Sequence, residues 1–146
     1  MGLGFAASIR AKADKQLEQV NTKINDIASD LFTTAVKLSP TKPMAKYAKG
    51  EFINNWMAMS NGVDSGTRST RSYDGMASLT SIAALKTKST FLRRDGFVTL
   101  TNNVHYAGLV EYEGWKPERN PRWSGRIGPY APVRNAFIRV VPKYKK

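Results

Sequence analysis

A run of regularly spaced apolar residues occupies the first quarter of the chain and restricts its fold more than any other feature. From Phe5 to Leu38, apolar side chains recur at intervals of three or four residues. This spacing places them on one face of an α-helix. A continuous helix of this length would extend about 50 Å, which is more than a small domain can cover. The sequence therefore predicts that part of this apolar face contacts another subunit.

The limits of this helix follow from proline and asparagine. Ser39 and Pro40 end the apolar pattern, because proline disfavours helical backbone in the residue before it. Asparagine has a low helix propensity, so a break near Asn21 or Asn25 is the alternative, in which the chain folds back as a helical hairpin. Residues 41–49 then read as a crossing over the protein surface.

Residues 97–114 combine strand, turn and helix signals in one short stretch. Large or branched residues alternate from residue 97 to residue 101, as in a strand with two different faces. Asn102 and Asn103 follow, and asparagine tolerates left-handed backbone and bonds its own main chain. After His105 the apolar spacing fits one to two helical turns, which Gly114 is placed to end. The predicted unit is a strand, an asparagine turn, a short helix and a glycine stop.

Three segments of the chain together resemble a family of bacteriophage proteins. Residues 102–107, Asn-Asn-Val-His-Tyr-Ala, followed by residues 110–114, Val-Glu-Tyr-Glu-Gly, resemble a signature of the tail-completion or neck proteins of long-tailed phages. This group includes minor tail protein Z. Ser39-Pro40 followed by residues 50–56, and the Arg-Asn-Ala of residues 134–136, are similar to the family in order and spacing. The family's compact Pro-Val-Asp-Thr-Gly is stretched here, and an extra Glu113 precedes the glycine.

The resemblance implies both a fold and a place in a virus particle. The implied fold is α+β, with the long N-terminal helix packed on a small mixed or antiparallel sheet, with short helices and long loops. The implied assembly is a homo-oligomeric ring, expected to be hexameric, at the head-proximal end of the tail. Its expected partners are the tail tube or tail terminator protein, the head connector or adaptor protein, and packaged double-stranded DNA passing the lumen.

The residues of the signature are expected to build a scaffold instead of an active site. Asn102 and Asn103 shape the turn, Tyr106 packs inward, and Glu111 binds backbone or an arginine. The signature residues are Asn102, Asn103, Tyr106, Ala107, Glu111 and Gly114.

Between the two ends of the chain the pattern predicts one strand, one loop and one helix. In residues 51–60 a strand would carry apolar side chains on both faces, so this stretch is interpreted as a strand buried on both sides for part of its length, with a helix as the competing interpretation. Residues 61–75 are rich in turn formers and predict a mobile loop or irregular hairpin. Ser78 is a candidate N-cap for a helix over 79–86 whose inward residues include Ala83.

The composition changes after Gly114. Residues 114–132 contain prolines, tryptophans and arginines, which exclude an ordinary helix or a central strand. Tryptophan, tyrosine and arginine are the residues enriched at protein interfaces, although single-stranded nucleic acid and packing within the chain are alternatives. The candidate interface residues are Trp56, Trp115, Arg119, Arg122, Trp123, Arg126, Tyr130 and Arg134.

The last residues predict the end of a single domain. Residues 133–141 fit either a final helix turn or an edge strand, because their periodicity does not decide between the two. Residues 142–146 read as a frayed basic tail. A chain of 146 residues has the size of one domain.

The charge of the chain predicts polyanionic or acidic partners. Lysine and arginine number 23 against 11 acidic residues, which gives a formal charge of +12. Such a balance favours either acidic protein surfaces or the phosphates of nucleic acid. The candidate DNA or lumen contacts are Arg68, Arg71, Lys143, Lys145 and Lys146. A basic, sequence-independent DNA-binding protein is therefore the alternative function.

Groups suited to catalysis are scarce in this sequence. Cysteine is absent and His105 is the only histidine, which excludes the common cysteine and histidine metal sites within one chain. A metal-dependent nuclease built on Glu113, Lys116 and Asp95 is a remote alternative. We therefore expect no enzyme activity, catalytic residue, metal or cofactor. The sequence also lacks a membrane span or a signal peptide pattern, so we expect synthesis in the cytoplasm. Residence in the virion is what the resemblance to the phage family implies.

Overall fold

The computed structural model describes residues 2–40, 50–87, 97–113 and 130–145. Its elements in chain order are helix α1 (Gly2–Lys37), helix α2 (Glu51–Asn54), strand β1 (Trp56–Ser60), helix α3 (Met76–Thr87), strand β2 (Val98–Asn102), a π-helix (Leu109–Glu113) and helix α4 (Pro132–Tyr144). The fold is α+β, with a long N-terminal helix packed on a two-stranded antiparallel sheet, as the sequence predicts. The surface crossing of residues 41–49, Lys146, and the segment from Gly114 to residue 129 lie outside the described residues.

Helix α1 is continuous over 36 residues, so the alternative of a helical hairpin is wrong. Its end coincides with the predicted one. The Ser39 amide donates to the carbonyl of Val36 at 3.1 Å, and the Ser39 hydroxyl donates to the carbonyl of Ala35 at 2.9 Å. These bonds satisfy carbonyls that the last turn of a helix leaves without intrahelical partners.

The sheet consists of β1 and β2, which pair from Trp56 opposite Asn102 to Ser60 opposite Val98. On the other edge of β1, the amides of Trp56 and Ala58 donate to the hydroxyls of Ser78 and Ser81, both at 3.0 Å. Helix α3 therefore lies along this edge and satisfies donors that an open strand would expose.

The prediction of a single strand over residues 51–60 is wrong in its first half. Residues 51–54 form the turn of α2, and the strand begins only at Trp56. The helical turn forms because the Asn54 and Asn55 side chains donate to the carbonyls of Gly50 and Glu51, four residues earlier, at 3.0 and 2.7 Å. Asparagine thus competes here for main-chain groups that a strand would use.

Helix α3 starts earlier than the sequence predicts, and Ser78 is not its N-cap. The Asp74 carboxylate accepts the Met76 amide at 2.9 Å at the helix start. This bond, together with one from the Ser72 hydroxyl, lowers the pKa of Asp74. Ser78 lies inside the first turn, fully buried, and donates to the carbonyl of Ile53 at 2.7 Å. Ala83 is exposed instead of inward.

The core forms where α1, α2, α3, the sheet and the π-helix meet. Phe52 contacts Trp56 edge to face with 5.5 Å between ring centroids, and Phe52 also packs on Tyr106. Edge-to-face pairs of this kind add to the stabilisation that burial provides. The buried cluster comprises Val36, Phe52, Ile53, Trp56, Ile82, Val104, Tyr106 and Val110.

Helix α4 resolves the choice between helix and strand at the end of the chain. It extends to Tyr144, so residues 142–144 belong to a helix and not to a frayed tail. Lys143 forms an ion pair with Asp30 of α1 at 3.2 Å, and the Tyr144 hydroxyl lies 3.5 Å from the same carboxylate. Ala136 and Val140 are buried on this helix. The C-terminal half of α1 and α4 therefore pack as a pair.

Candidate assembly surfaces

The predicted asparagine turn fastens the loop of residues 61–75 to the sheet. The Asn103 side chain donates to the carbonyls of Asp64 and Gly66 at 2.7 and 2.9 Å, and that of Asn102 donates to the carbonyl of Phe52 at 2.9 Å. Thr101 adds a bond to the Asp64 carbonyl at 2.9 Å. The two asparagines therefore join the end of β2 to two separate parts of the chain.

A second asparagine pair, Asn54 and Asn55, holds the same loop from the other side. Both side chains are fully buried. Asn55 accepts the Arg68 amide at 2.6 Å and donates to the Arg68 carbonyl at 3.0 Å, while Asn54 donates to the Ser72 carbonyl at 2.6 Å. The sequence contains this second Asn-Asn pair, but the interpretation of residues 51–60 as a strand places the two side chains on its opposite faces and does not predict their bonds to the loop. The loop has no helix or strand, as predicted, and it is bonded at several points.

The second half of the signature forms a joint with α4. Tyr106 is buried, and burial followed by the nearby Glu51 carboxylate raises its pKa. Ala107 packs against the core cluster and opens the helical turn that continues as the π-helix. The amides of Tyr130 and Ala131 donate to the carbonyl of Val110 at 3.0 and 3.2 Å. The residues just before and just after the segment 114–129 are therefore hydrogen-bonded to each other at Val110.

Glu111 caps helix α4. Its two carboxylate oxygens accept the amides of Val133 and Arg134, each at 3.1 Å. Pro132 has no amide hydrogen, and the Asn135 amide donates to the Ala131 carbonyl at 2.9 Å. Glu111 thus satisfies the two remaining donors of the first turn, and its charge lies at the positive end of the helix dipole. This is the backbone tie expected for Glu111.

Replacing Glu111 by alanine should lower the free energy of unfolding by about 1–2 kcal/mol, because two amide donors in the first turn of α4 lose their acceptor. Glu111→Gln should lose less, since one oxygen remains. Urea unfolding followed by circular dichroism measures the difference. Tyr112→Ala is the matched control, because the adjacent Tyr112 side chain is 70% exposed. Equal losses for Glu111→Ala and Tyr112→Ala would contradict a capping role.

Only part of the predicted interface set lies at the surface of the described chain. Trp56 is 5% exposed, and its indole nitrogen donates to the Ser39 hydroxyl at 2.7 Å, which corrects its assignment to an interface. Tyr130 is half-buried against the core, and burial raises its pKa. Arg134 has an exposed side chain. The remaining members, Trp115, Arg119, Arg122, Trp123 and Arg126, lie outside the described residues.

Some of the candidate DNA-contact residues bind other groups of the same chain, and others are exposed to solvent. The Arg68 guanidinium donates to the carbonyls of Asn54 and Trp56 at 3.0 and 3.2 Å, so this charge is directed at the sheet. Lys143 pairs with Asp30. Arg71 and Lys145 are exposed. Among these four residues, Arg71 and Lys145 are therefore the ones presented to solvent for a phosphate.

The N-terminal half of α1 presents an apolar ridge to solvent. Every residue from position 4 to position 20 is exposed. The members of this α1 ridge and their exposed fractions are Phe5 at 73%, Ile9 at 53%, Leu17 at 50%, Val20 at 51% and Ile24 at 38%. A contiguous exposed apolar surface of this kind is typical of an interaction site.

A second apolar surface lies between α1, β2 and α4. This α1–α4 cleft has a volume of about 190 Å³. Phe137, which lines the cleft from α4, is 52% exposed, and the next residue, Ile138, is 65% exposed. The sequence contains both residues within 133–141, but their position on a surface depends on α4 being helical. The cleft is lined by Leu31, Phe32, Ala35, Leu100, Val133, Ala136 and Phe137.

The described residues also bear on the enzyme alternatives. The Glu111 carboxylate accepts two amides at the start of α4. The Glu113 side chain, Asp95 and Lys116 lie outside the part of the chain that the structure describes. In the described part of the chain, no three histidine or acidic side chains are grouped so that they could hold a metal ion. Within the same ranges, no helix has the length and apolarity to cross a membrane.

Comparison of the chain with protein-family models, curated proteins and solved structures returned no match.

Proposed function

We propose that this protein is a structural component of a tailed-phage virion, which forms a ring at the head-proximal end of the tail. In this position it completes the tail, joins it to the head, and leaves a lumen through which DNA passes. The observation that carries the proposal is the α1 ridge. A helix whose residues 4–20 are all exposed and include an apolar face suits a subunit that buries this face against its neighbours in an assembly.

The positions of the signature residues inside the subunit support the same proposal. Asn102 and Asn103 bind the loop, Tyr106 packs in the core, and Glu111 fastens α4 to the π-helix. Each of these contacts stabilises the subunit from within, so the outer surfaces remain free to contact other proteins. This is the behaviour expected of an assembly component.

The charge of the chain fits a lumen through which DNA passes. A ring multiplies the charge of +12 carried by each subunit, and the resulting field favours phosphate without reading base sequence. Exposed Arg71 and Lys145 are available for such contacts, and their affinity for DNA would fall steeply with salt.

The proposal is tested by deleting the gene in the phage that carries it. The expected lysate contains full heads and complete tails that are not joined, and expression of the wild-type chain in trans restores joined particles. Negative-stain microscopy distinguishes these states. Normally joined particles in the deletion, or the loss of heads or tails themselves, would contradict the proposal.

A purified sample tests the rival DNA-binding function. Light scattering and microscopy with isolated tails should show annular particles or tail ends capped by the protein. A protein that binds DNA tightly in moderate salt, remains monodisperse as a monomer and ignores purified tails would favour the rival.

A further inference from the structure

Helix α4 presents a face to solvent in addition to the one that packs on α1. Phe137 and Ile138 lie on this outer face, and more than half of each side chain is exposed. At ~100° per residue they share a sector of about 100° with three other residues, one of them apolar and two of them basic. An exposed apolar surface rimmed by polar groups is typical of an interaction site. The members of this α4 stripe are Arg134, Phe137, Ile138, Val141 and Lys145.

The α4 stripe is basic at both ends and apolar between them. Arg134 and Lys145 are both exposed, and a helical rise over the residues between them places them ~16 Å apart along the axis. Helix α4 contains no aspartate or glutamate along its whole length. The stripe therefore favours a partner that combines negative charge with apolar side chains.

The α1–α4 cleft adjoins the stripe, because Phe137 belongs to both. Its volume of about 190 Å³ is below the ~300–1,000 Å³ of typical small-molecule pockets. Its lining residues are all apolar, so their side chains supply no polar group that would orient a metabolite. The size and lining of the cleft suit one large apolar side chain that anchors a partner.

Nucleic acid fits this combined surface poorly. Phosphates would pair with Arg134 and Lys145, but a duplex backbone offers no apolar group to the cleft or to Ile138. Proteins that bind single strands use several stacked aromatic side chains, and Phe137 is the one aromatic member of the stripe. Contact with nucleic acid would therefore satisfy the charges of the stripe and leave its apolar centre uncovered.

A second copy of this chain is a poor source of the complementary charge. On α1, Asp14 and Glu18 lie among four cations, so this half of the helix is itself basic. Asp30 is in an ion pair of its own chain, and Asp26 lies three residues from Lys23, a spacing at which helical side chains are neighbours. The described acids outside α1 accept hydrogen bonds from their own chain, and they are Glu51, Asp64, Asp74 and Glu111.

We propose that the α4 stripe and the α1–α4 cleft together bind an acidic segment of another protein. One large apolar side chain of this segment enters the cleft beside Phe137, and its carboxylates lie on Arg134 and Lys145. The apolar contact supplies most of the affinity, whereas the carboxylates set the orientation and speed the encounter. The inference goes beyond the proposed function, because it concerns α4 instead of the α1 ridge. In a virion the segment would belong to a protein that neighbours the ring.

Synthetic peptides test the requirement for both charge and apolar contact. The probe is a fluorescein-labelled peptide of about 12 residues, which as a helix spans the ~16 Å of the stripe. It carries leucines at steps of three and four between glutamates at its two ends. Fluorescence anisotropy with the full chain should show binding about tenfold tighter than for either comparison peptide. One comparison peptide has alanine in place of leucine, and the other has lysine in place of glutamate.

Variants of the chain place the binding on α4. Arg134→Glu should weaken binding of the probe by about tenfold, because attraction becomes repulsion. Arg139→Glu is the matched control, since it makes the same charge change at an exposed arginine of the same helix, ~140° around the axis. At about 0.15 M salt its effect should stay within about twofold, because charges more than ~8 Å apart are largely screened.

Lys145→Glu repeats the measurement at the other end of the stripe, which keeps the test decisive if Arg134→Glu disturbs the start of α4. A chain with both substitutions should bind the lysine-ended peptide more tightly than the wild type does. This exchange of preference requires that the peptide ends lie on these two residues.

Several results would overturn the proposal. One is equal weakening by Arg134→Glu and Arg139→Glu, and another is equal affinity for the leucine and alanine peptides, which would indicate a surface for polyanions such as DNA. A third is self-association that Ile138→Asp abolishes in a chain that binds no peptide, which would assign the stripe to a second copy. In each case, unjoined heads and tails in the deletion phage would leave the proposed function intact, so the two failures are distinguishable.

Discussion

Replacing Gly50 by alanine should reduce the free energy of unfolding by about 4 kcal/mol or more, because the new methyl group meets main-chain atoms that cannot move independently. An ideal Cβ at this position would lie 1.8 Å from the carbonyl oxygen of Ser72. Gly50 also has φ of 80°, a left-handed conformation that disfavours every side chain. The Ser72 carbonyl is held by Asn54, so the loop would have to leave its anchor.

Gly108→Ala is the matched control for this prediction. A Cβ added at Gly108 has no neighbour within 4 Å, and its φ is not positive. Its substitution should be neutral or stabilise by up to about 1 kcal/mol through the loss of unfolded-state entropy. Urea unfolding followed by circular dichroism measures both variants. Similar stabilities for Gly50→Ala and Gly108→Ala would show that residue 50 and the loop do not approach as described.

Features that depend on neighbouring residues could be read from the sequence. The apolar spacing predicts α1, and Ser39-Pro40 predicts its end to within two residues of Lys37. The alternation of residues 97–101 predicts β2 to within one residue. Asn102 and Asn103 predict a turn, because an asparagine side chain can form hydrogen bonds with nearby main-chain groups in any fold. Local chemistry is sufficient in each of these cases.

Features that depend on distant residues could not be read in this way. Asn54 and Asn55 look like strand residues until their partners Ser72 and Arg68, 18 and 13 residues away, are known. Ser78 resembles a cap, yet its hydroxyl is used by β1 and α2. Phe137 is visible in the sequence as an apolar residue, but its place in the cleft depends on how α4 packs on α1.

Trp56 shows how the same ambiguity affects an assignment of function. Tryptophan is enriched both in cores and at the centres of interfaces, so its type alone does not separate the two roles. The structure buries Trp56 against Phe52 and bonds its indole nitrogen to Ser39, whose hydroxyl in turn donates to the carbonyl of Ala35. A core role predicts a loss of stability in the monomer, whereas an interface role predicts a loss of association alone.

Trp56→Ala should therefore lower the free energy of unfolding by about 3–5 kcal/mol, measured by urea unfolding at concentrations below those at which the chain associates. Trp56→Phe should lose about 1–2 kcal/mol, because it keeps most of the ring contacts and removes only the bond to Ser39. The phenylalanine variant keeps the test informative if the alanine variant does not fold. If both variants kept the stability of the wild-type monomer but associated more weakly, Trp56 would be an interface residue and not a core residue.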